Sequence, residues 1–247
     1  MNTTALIPVD YENGFAHPKE RELYVAWWEE LAPYIINTIQ ETKRAGWLII
    51  PTRDMHPEWH ISFVTSFVWK EPLTDALKSW KDPSAKNFIT YEEVQDWTEE
   101  NNGLSKTATF SVEELKVYLE IAGTQAMWPE HCRTDSSSSQ YFWWIEGLWF
   151  DYEIKKWFKP NEECYSGFGW VEMIQNIPLA KLLKNLWVQT VQILWLATDY
   201  CIKATSLDAI KNGFNVKLLT KWIAGVDPTT TVKALEEMRQ AWVKIIE

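Results

Sequence analysis

Val188-Gln189-Thr190-Val191-Gln192-Ile193-Leu194-Trp195-Leu196-Ala197-Thr198-Asp199-Tyr200-Cys201-Ile202-Lys203-Ala204-Thr205 is the stretch that decides the reading of this chain. A β-branched and aliphatic run, Val188 to Leu196, ends in a small polar turn. The turn delivers Cys201 onto the first turn of an amphipathic helix that runs to about Lys211. A thiol there lies beside backbone N–H groups without intrahelical partners and at the positive end of the helix dipole, and both favour thiolate. A lone cysteine is more often a buried structural residue. The strand–turn–helix setting favours a nucleophile.

Outward from this stretch the same rhythm repeats. Ala5–Val9, Leu48–Pro51, Ile154–Lys156, Thr190–Leu196 and Asn215–Leu219 read as strands. Arg21–Ala45, Leu179–Leu186, the segment after Cys201 and Thr230–Ala241 read as helices. Alternation of this kind predicts βαβ units, a central mostly parallel sheet and helices on both faces: a three-layer α/β/α fold with Rossmann-like topology. Pro8 is a blemish, because proline removes a ladder hydrogen bond from what should be a central strand. From about 66 to 125 the rhythm breaks, with charge-rich pieces such as Asp96-Trp97-Thr98-Glu99-Glu100-Asn101-Asn102-Gly103. This section reads as an insertion of short helices and loops over the site within a single domain, 1–247. Ser136–Ser139 reads as a loop.

A net charge of −10 argues against nucleic acid, and there is no basic run to suggest a membrane surface. No apolar stretch reaches transmembrane length, and the first residues lack the features of a signal peptide. Three cysteines at unpatterned spacing read as free thiols in a reducing cytoplasm.

Three of the four histidines fall in two clusters. Thr52-Arg53-Asp54-Met55-His56-Pro57-Glu58-Trp59-His60-Ile61-Ser62-Phe63 follows the Leu48–Pro51 strand. An Asp-x-His on a strand-end loop offers a carboxylate and an imidazole to one side, a mix that suits zinc, iron or manganese. Met127-Trp128-Pro129-Glu130-His131-Cys132 could supply another imidazole; surface or core histidines are the competing reading. Asp10 and Lys156 each end a strand, as ligand-contacting residues do in open α/β sheets. With Cys201 they offer a nucleophile, a proton carrier and a cation that favours thiolate.

These pieces together resemble the isochorismatase-like cysteine hydrolases and, among them, the nicotinamidase branch. The resemblance covers nearly the whole chain. It rests on Val9-Asp10-Tyr11-Glu12-Asn13-Gly14-Phe15, on Arg53 to Phe63, on Trp128-Pro129-Glu130-His131-Cys132, on Lys156 followed by Tyr165-Ser166-Gly167-Phe168, and on Ala197-Thr198-Asp199-Tyr200-Cys201. It implies Cys201 as nucleophile, Asp10 as acid/base and Lys156 as third member of a triad. A cis peptide at Leu196–Ala197 is implied too, with the Ala197 and Cys201 N–H groups as oxyanion hole. Asp54, His56 and His131 would bind one divalent ion, zinc before iron or manganese, with His60 a less certain fourth ligand. Phe15, Trp128 and Tyr165 would wall a pyridine ring. The implied reaction is hydrolysis of nicotinamide to nicotinate and ammonia through a cysteine thioester, in NAD salvage. Another small amide, a vinyl ether, or a catalytically impaired binding homologue are the alternatives, and oligomerisation is open.

The chain departs from the family pattern in places. Glu12 and Gly14 stand where Gln and Asp are expected, Met55 where tryptophan is common, and Ser138-Ser139 where Gly-Ala is usual. The chain has 17 Trp and only 9 Gly. Several tryptophans, at 27, 28, 157, 187, 195 and 242, fall where the resemblance calls for glycine. Indoles at 157 and 195 would crowd a site whose atoms must meet within hydrogen-bond distance.

Overall fold

The computed structural model of the chain describes residues 3–17, 22, 23, 25, 28–79, 81, 83–142, 145, 148–157, 159–169 and 177–247. Trp27 lies outside the described residues, as do the side chains of Trp28 and Trp157. Strands run at Thr3–Val9 (β1), Leu48–Ile49 (β2), Thr52–Met55 (β3), Phe88–Thr90 (β4), Thr124–Ala126 (β5), Ile154–Trp157 (β6), Val188–Leu196 (β7), Asn215–Ala224 (β8) and Lys244–Ile246 (β9). Helices run at Asn13–Ala16 (α1), Trp28–Arg44 (α2), Leu73–Lys78 (α3), Tyr91–Val94 (α4), Val112–Ala122 (α5), Leu179–Asn185 (α6), Lys203–Lys211 (α7) and Pro228–Gln240 (α8).

The main sheet has the order β2-β1-β7-β8-β9 with every pairing parallel. Both faces are covered. Ala5, Ile7 and Val9 of β1 join Leu183 of α6, Ala209 of α7 and Met238 of α8 in one apolar cluster. Leu6 faces the opposite cluster with Ile35 and Ile39 of α2. This period-2 alternation on β1 is what a central strand between two helical layers requires. Burying each Leu or Ile contributes about 1.5–3 kcal/mol, so the two clusters dominate the fold's stability.

Pro8 does not damage the sheet. β2 pairs with β1 only at Ala5 and Leu6, so Pro8 lies past the end of that ladder, and its partner on the other side is Leu194. The strand expected over Leu48–Pro51 ends instead at Ile49. After Pro51 the chain forms β3, which leaves the main sheet and pairs in parallel with β6. Asp54 is therefore a strand residue and not part of a loop.

Within 66–125, α3, α4 and α5 and the antiparallel β4–β5 pair surround a small core of their own, including Phe67, Ile89, Leu115 and Leu119. α5 opens on a capping box in which Ser111 and Glu114 satisfy each other's backbone N–H groups. The serine tract forms a tight turn at Ser137–Ser139, in which Ser139 Oγ donates to the Ser136 carbonyl (3.1 Å). Gly14 is set by a close approach, since a Cβ there would lie 2.7 Å from Cys132 Sγ.

Candidate active site

The ends of β1, β3 and β6 and the turn after β7 bring the charged residues together. Lys156 on β6 is wholly buried. Its Nζ donates to Asp10 Oδ2 (2.7 Å) and to Cys201 Sγ (3.2 Å), and it pairs with Asp54 Oδ1 at 2.7 Å. Burial alone would push this ammonium down, but the Asp10 and Asp54 carboxylates outweigh it and hold Lys156 well above its usual range. Asp10 follows β1 with φ 56°. Thr52 fixes it there: Thr52 Oγ1 donates to Asp10 Oδ1 (2.7 Å), and the Asp10 N–H donates to the Thr52 carbonyl (3.2 Å). Burial raises the Asp10 pKa to about 6, against the pull of Lys156. A carboxylate poised there can both accept and return a proton near neutrality.

Cys201 corrects one expectation. It does not open an α-helix but sits inside a π-helical turn, Thr198–Ile202, that leads into α7. Burial pushes its thiol well above the ordinary value and Lys156 pulls it back. Burial thus favours the thiol over a standing thiolate, with the Asp10 carboxylate within 4.8 Å of the sulfur. The Leu196–Ala197 peptide is cis.

One cavity of about 30 Å³ opens between these elements. Asp10, Cys201 and Ala197 line one side, and Asp54, His56 and His131 another. Phe15, Trp128 and Tyr165 complete the wall. The pieces are locked by backbone bonds: the His56 N–H donates to the Cys132 carbonyl (2.9 Å) and the Trp128 N–H to the Ser62 carbonyl (2.7 Å). Trp128 Nε1 donates to Tyr165 Oη (3.1 Å).

Asp54, His56 and His131 present ligand atoms within 4.8 Å of one another. His131 Nδ1 lies 2.8 Å from the Pro129 carbonyl, which accepts an N–H from it and leaves Nε2 facing the cluster. Burial lowers the His131 pKa to about 3, so the ring is neutral, as a ligand must be. Asp54 is held well below the carboxylate range: burial would raise it, but Lys156 and His56 win. One carboxylate and two imidazoles fit a borderline divalent ion. His60 stands slightly apart. Its Nδ1 is 2.8 Å from Ser62 Oγ and its Nε2 2.7 Å from the Glu162 carbonyl, so both ring nitrogens are already engaged.

Three further residues matter that the sequence did not single out. Thr52 orients Asp10, and Tyr200 extends the aromatic wall with its ring 4.9 Å from Trp128. Asp199 anchors the nucleophile turn: it accepts the Val226 N–H (3.0 Å), the Asp227 N–H (3.2 Å) and the Thr230 hydroxyl (2.6 Å). Thr52 carried a signal, standing two residues before Asp54 on the same strand face. Asp199 carried none, as its partners lie 27 to 31 residues away.

Comparison with known proteins gives the family. Residues 158–247 match the Isochorismatase domain. The nicotinamidase of Escherichia coli is 30% identical over 149 residues, 60% of this chain and 70% of that protein. The chain belongs to the isochorismatase-like hydrolase family. Among solved members, the zinc complex of the Pyrococcus horikoshii pyrazinamidase is 28% identical, covers 99% of this chain and 98% of its own, and superposes with a TM-score of 0.65. The yeast nicotinamidase bound to the inhibitor nicotinaldehyde is 25% identical, covers 99% and 100%, and gives 0.68. As an isochorismatase-like hydrolase the chain is an enzyme of amide cleavage, built on a mostly parallel α/β/α scaffold.

Proposed function

We propose that this protein hydrolyses nicotinamide to nicotinate and ammonia, with Asp10, Lys156 and Cys201 as its catalytic triad. The observation that carries the reading is Lys156 Nζ, bridging Asp10 Oδ2 and Cys201 Sγ, two residues that line an aromatic-walled cavity. Asp10 takes the thiol proton as the sulfur attacks the carboxamide carbon. Lys156 stabilises the developing thiolate. The Ala197 and Cys201 N–H groups receive the oxyanion of the tetrahedral intermediate. Asp10 returns the proton to the nitrogen, the C–N bond breaks and ammonia leaves a thioester on Cys201. Asp10 then deprotonates a water that attacks the thioester, releasing nicotinate and the thiol.

Asp54, His56 and His131 would hold a divalent ion, zinc by the chemistry of the set, with His60 close enough to join only by giving up a present bond. Bound there, the ion would supply a Lewis-acid anchor for the pyridine nitrogen. Phe15, Trp128 and Tyr165 suit a flat heteroaromatic ring. The segment 66–125 is read as an insertion in a single domain that covers the site through Gln125, whose Nε2 donates to Tyr165 Oη (3.2 Å). No helix among the described residues is long and apolar enough to cross a membrane; a cytoplasmic place in NAD salvage is part of the proposal.

The test is ammonia release from nicotinamide, with and without added zinc, by the full chain and by Cys201→Ala. The reading expects metal-supported release by the first and none by the second. Equal release by both removes Cys201 as nucleophile, and no release from nicotinamide under any metal removes the substrate.

A further inference from the structure

Among the described residues, six that are not glycine have a positive φ: Trp59 (58°), Trp187 (57°), Trp195 (101°), Trp242 (70°), Asp10 (56°) and Cys132 (45°). Four of the six are tryptophan, a residue that makes up only 17 of 247. Asp tolerates this region by bonding its own backbone, but a bulky residue there is an outlier.

The helix ends make the anomaly specific, because the chain carries its own controls. After α2, the Gly46 N–H bonds the Lys43 carbonyl (3.0 Å) and the Trp47 N–H the Thr42 carbonyl (3.2 Å), with Gly46 at φ 71°. After α7, Gly213 at φ 88° closes the same motif onto Ile210, and Phe214 onto Ala209. After α8 the motif recurs with Trp242 bonded to Arg239 and Val243 to Met238, both at 3.0 Å. After α6, Trp187 bonds Lys184 (3.0 Å). This closure places a left-handed residue just past the helix, and glycine is the residue that fits it. Trp187 and Trp242 are 80% and 87% exposed, so packing returns almost nothing for the conformation.

Trp195 is anomalous in a different way. Along β7, Val191 and Ile193 face one core cluster, and alternation sends residue 195 to the same side. At φ 101° the indole instead joins Leu194 and Leu196 in the opposite cluster, and the register with β8 shifts between Ile193 and Trp195. It is wholly buried, its ring centroid is 4.1 Å from that of Tyr11, and its Nε1 has no hydrogen-bond partner. Trp128, by contrast, uses its indole N–H on Tyr165.

We propose that residues 59, 187, 195 and 242 are glycine in the protein as its cell makes it, UGA codons at these positions being decoded as glycine and not as tryptophan. UGA is assigned to tryptophan in some genetic codes and to glycine in others, so one codon accounts for both the tryptophan excess and the glycine deficit. Glycine at 195 removes an unsatisfied indole next to the Leu196–Ala197 peptide and restores the strand beside the nucleophile turn. At 187 and 242 it stands at the left-handed position past α6 and α8, as glycine does after α2 and α7.

The gene and the protein each test this. Codons 59, 187, 195 and 242 should read UGA and codon 128 UGG, and peptide masses of the protein from its own cell should carry glycine at the four positions. UGG at those four codons, or tryptophan in the peptides, overturns the proposal. Independently, the chain with tryptophan at the four positions and its Trp59→Gly/Trp187→Gly/Trp195→Gly/Trp242→Gly variant should be compared by thermal unfolding. Tm should rise in the variant by roughly 10 °C or more, as four strained residues are relieved together. An unchanged or lower Tm overturns it. If the variant melts higher yet releases no ammonia from nicotinamide, the glycine assignment stands and the nicotinamide reading falls.

Discussion

At the scale of single residues, the site is a study in which carboxyl carries a proton. Glu12 occupies the place of an expected glutamine and behaves as one. It is wholly buried, its Oε2 accepts the Asp54 N–H at 2.6 Å, and burial with Asp54 and Asp10 nearby holds it well above the carboxylate range. The folded chain thus keeps this proton at pH values where the unfolded chain has released it. Its contribution to stability is therefore complete below the ordinary glutamate value of about 4.3, and declines as pH rises through that value towards the folded one. Glu12→Gln removes the titration while keeping one acceptor for Asp54. The variant should match the parent at pH below the ordinary glutamate value and melt progressively higher than it as pH rises above that value. Parallel Tm–pH curves would mean that Glu12 is ionised in the fold. Asp10 and Lys156 are the opposite case, since in the proposed mechanism their charges act on the reacting atoms. Asp10→Asn and Lys156→Ala should each lower kcat by about 10²–10⁴-fold, the range for a positioned proton carrier. A loss confined to KM would remove them from the chemical step.

At the scale of elements, the nucleophile turn is held from behind by α8. Asp199 reaches from the π-helical turn to the N–H groups of Val226 and Asp227, while Asp227 caps α8 by accepting from Thr229 and Thr230, each at 2.9 Å. Asp199→Ala leaves two backbone donors unsatisfied in a largely buried place, a cost of about 2–3 kcal/mol, or roughly 5–10 °C in Tm. Because the turn carries Cys201, turnover should fall with it, and Asp199→Asn should recover part of both. An Ala variant as stable and active as the parent would show the turn to be self-supporting. This tie also marks the limit of what the sequence discloses. The main strands and the helix to Lys211 were legible from periodicity, the candidates Asp10, Asp54, His56 and Cys201 from their place beside strand ends, and His131 through the family resemblance. The Ile49–Thr52 break was not, because Pro51 acts only through the departure of β3 towards β6. β9, three residues long, has too short a pattern to read. The burial of Lys156 was invisible too: a lysine is ordinarily solvated, and only the two carboxylates from distant strands make this one tenable.

At the scale of the whole molecule, the site is a charge balance that only the complete fold can assemble. Lys156 and Asp10 are 146 residues apart in sequence, and His131 comes from a segment between them. Buried Asp10 and Asp54 share the ammonium of Lys156, and the imidazoles of His56 and His131 stand beside them as nitrogen donors. A divalent cation held by Asp54, His56 and His131, as proposed, would offset the remaining negative charge and satisfy all three at once. An unfolded chain cannot offer this set, so binding free energy becomes folding free energy. Zinc at about a hundredfold excess over its dissociation constant should stabilise the fold by about 2.7 kcal/mol, raising Tm by roughly 5–10 °C. The His56→Ala/His131→Ala variant should lose that rise, together with the roughly one equivalent of metal found by elemental analysis. The comparison is of the zinc-induced shift within each protein, so any cost of the alanines themselves cancels. An equal shift in both would place the ion elsewhere on the chain and leave the buried acids to Lys156 alone.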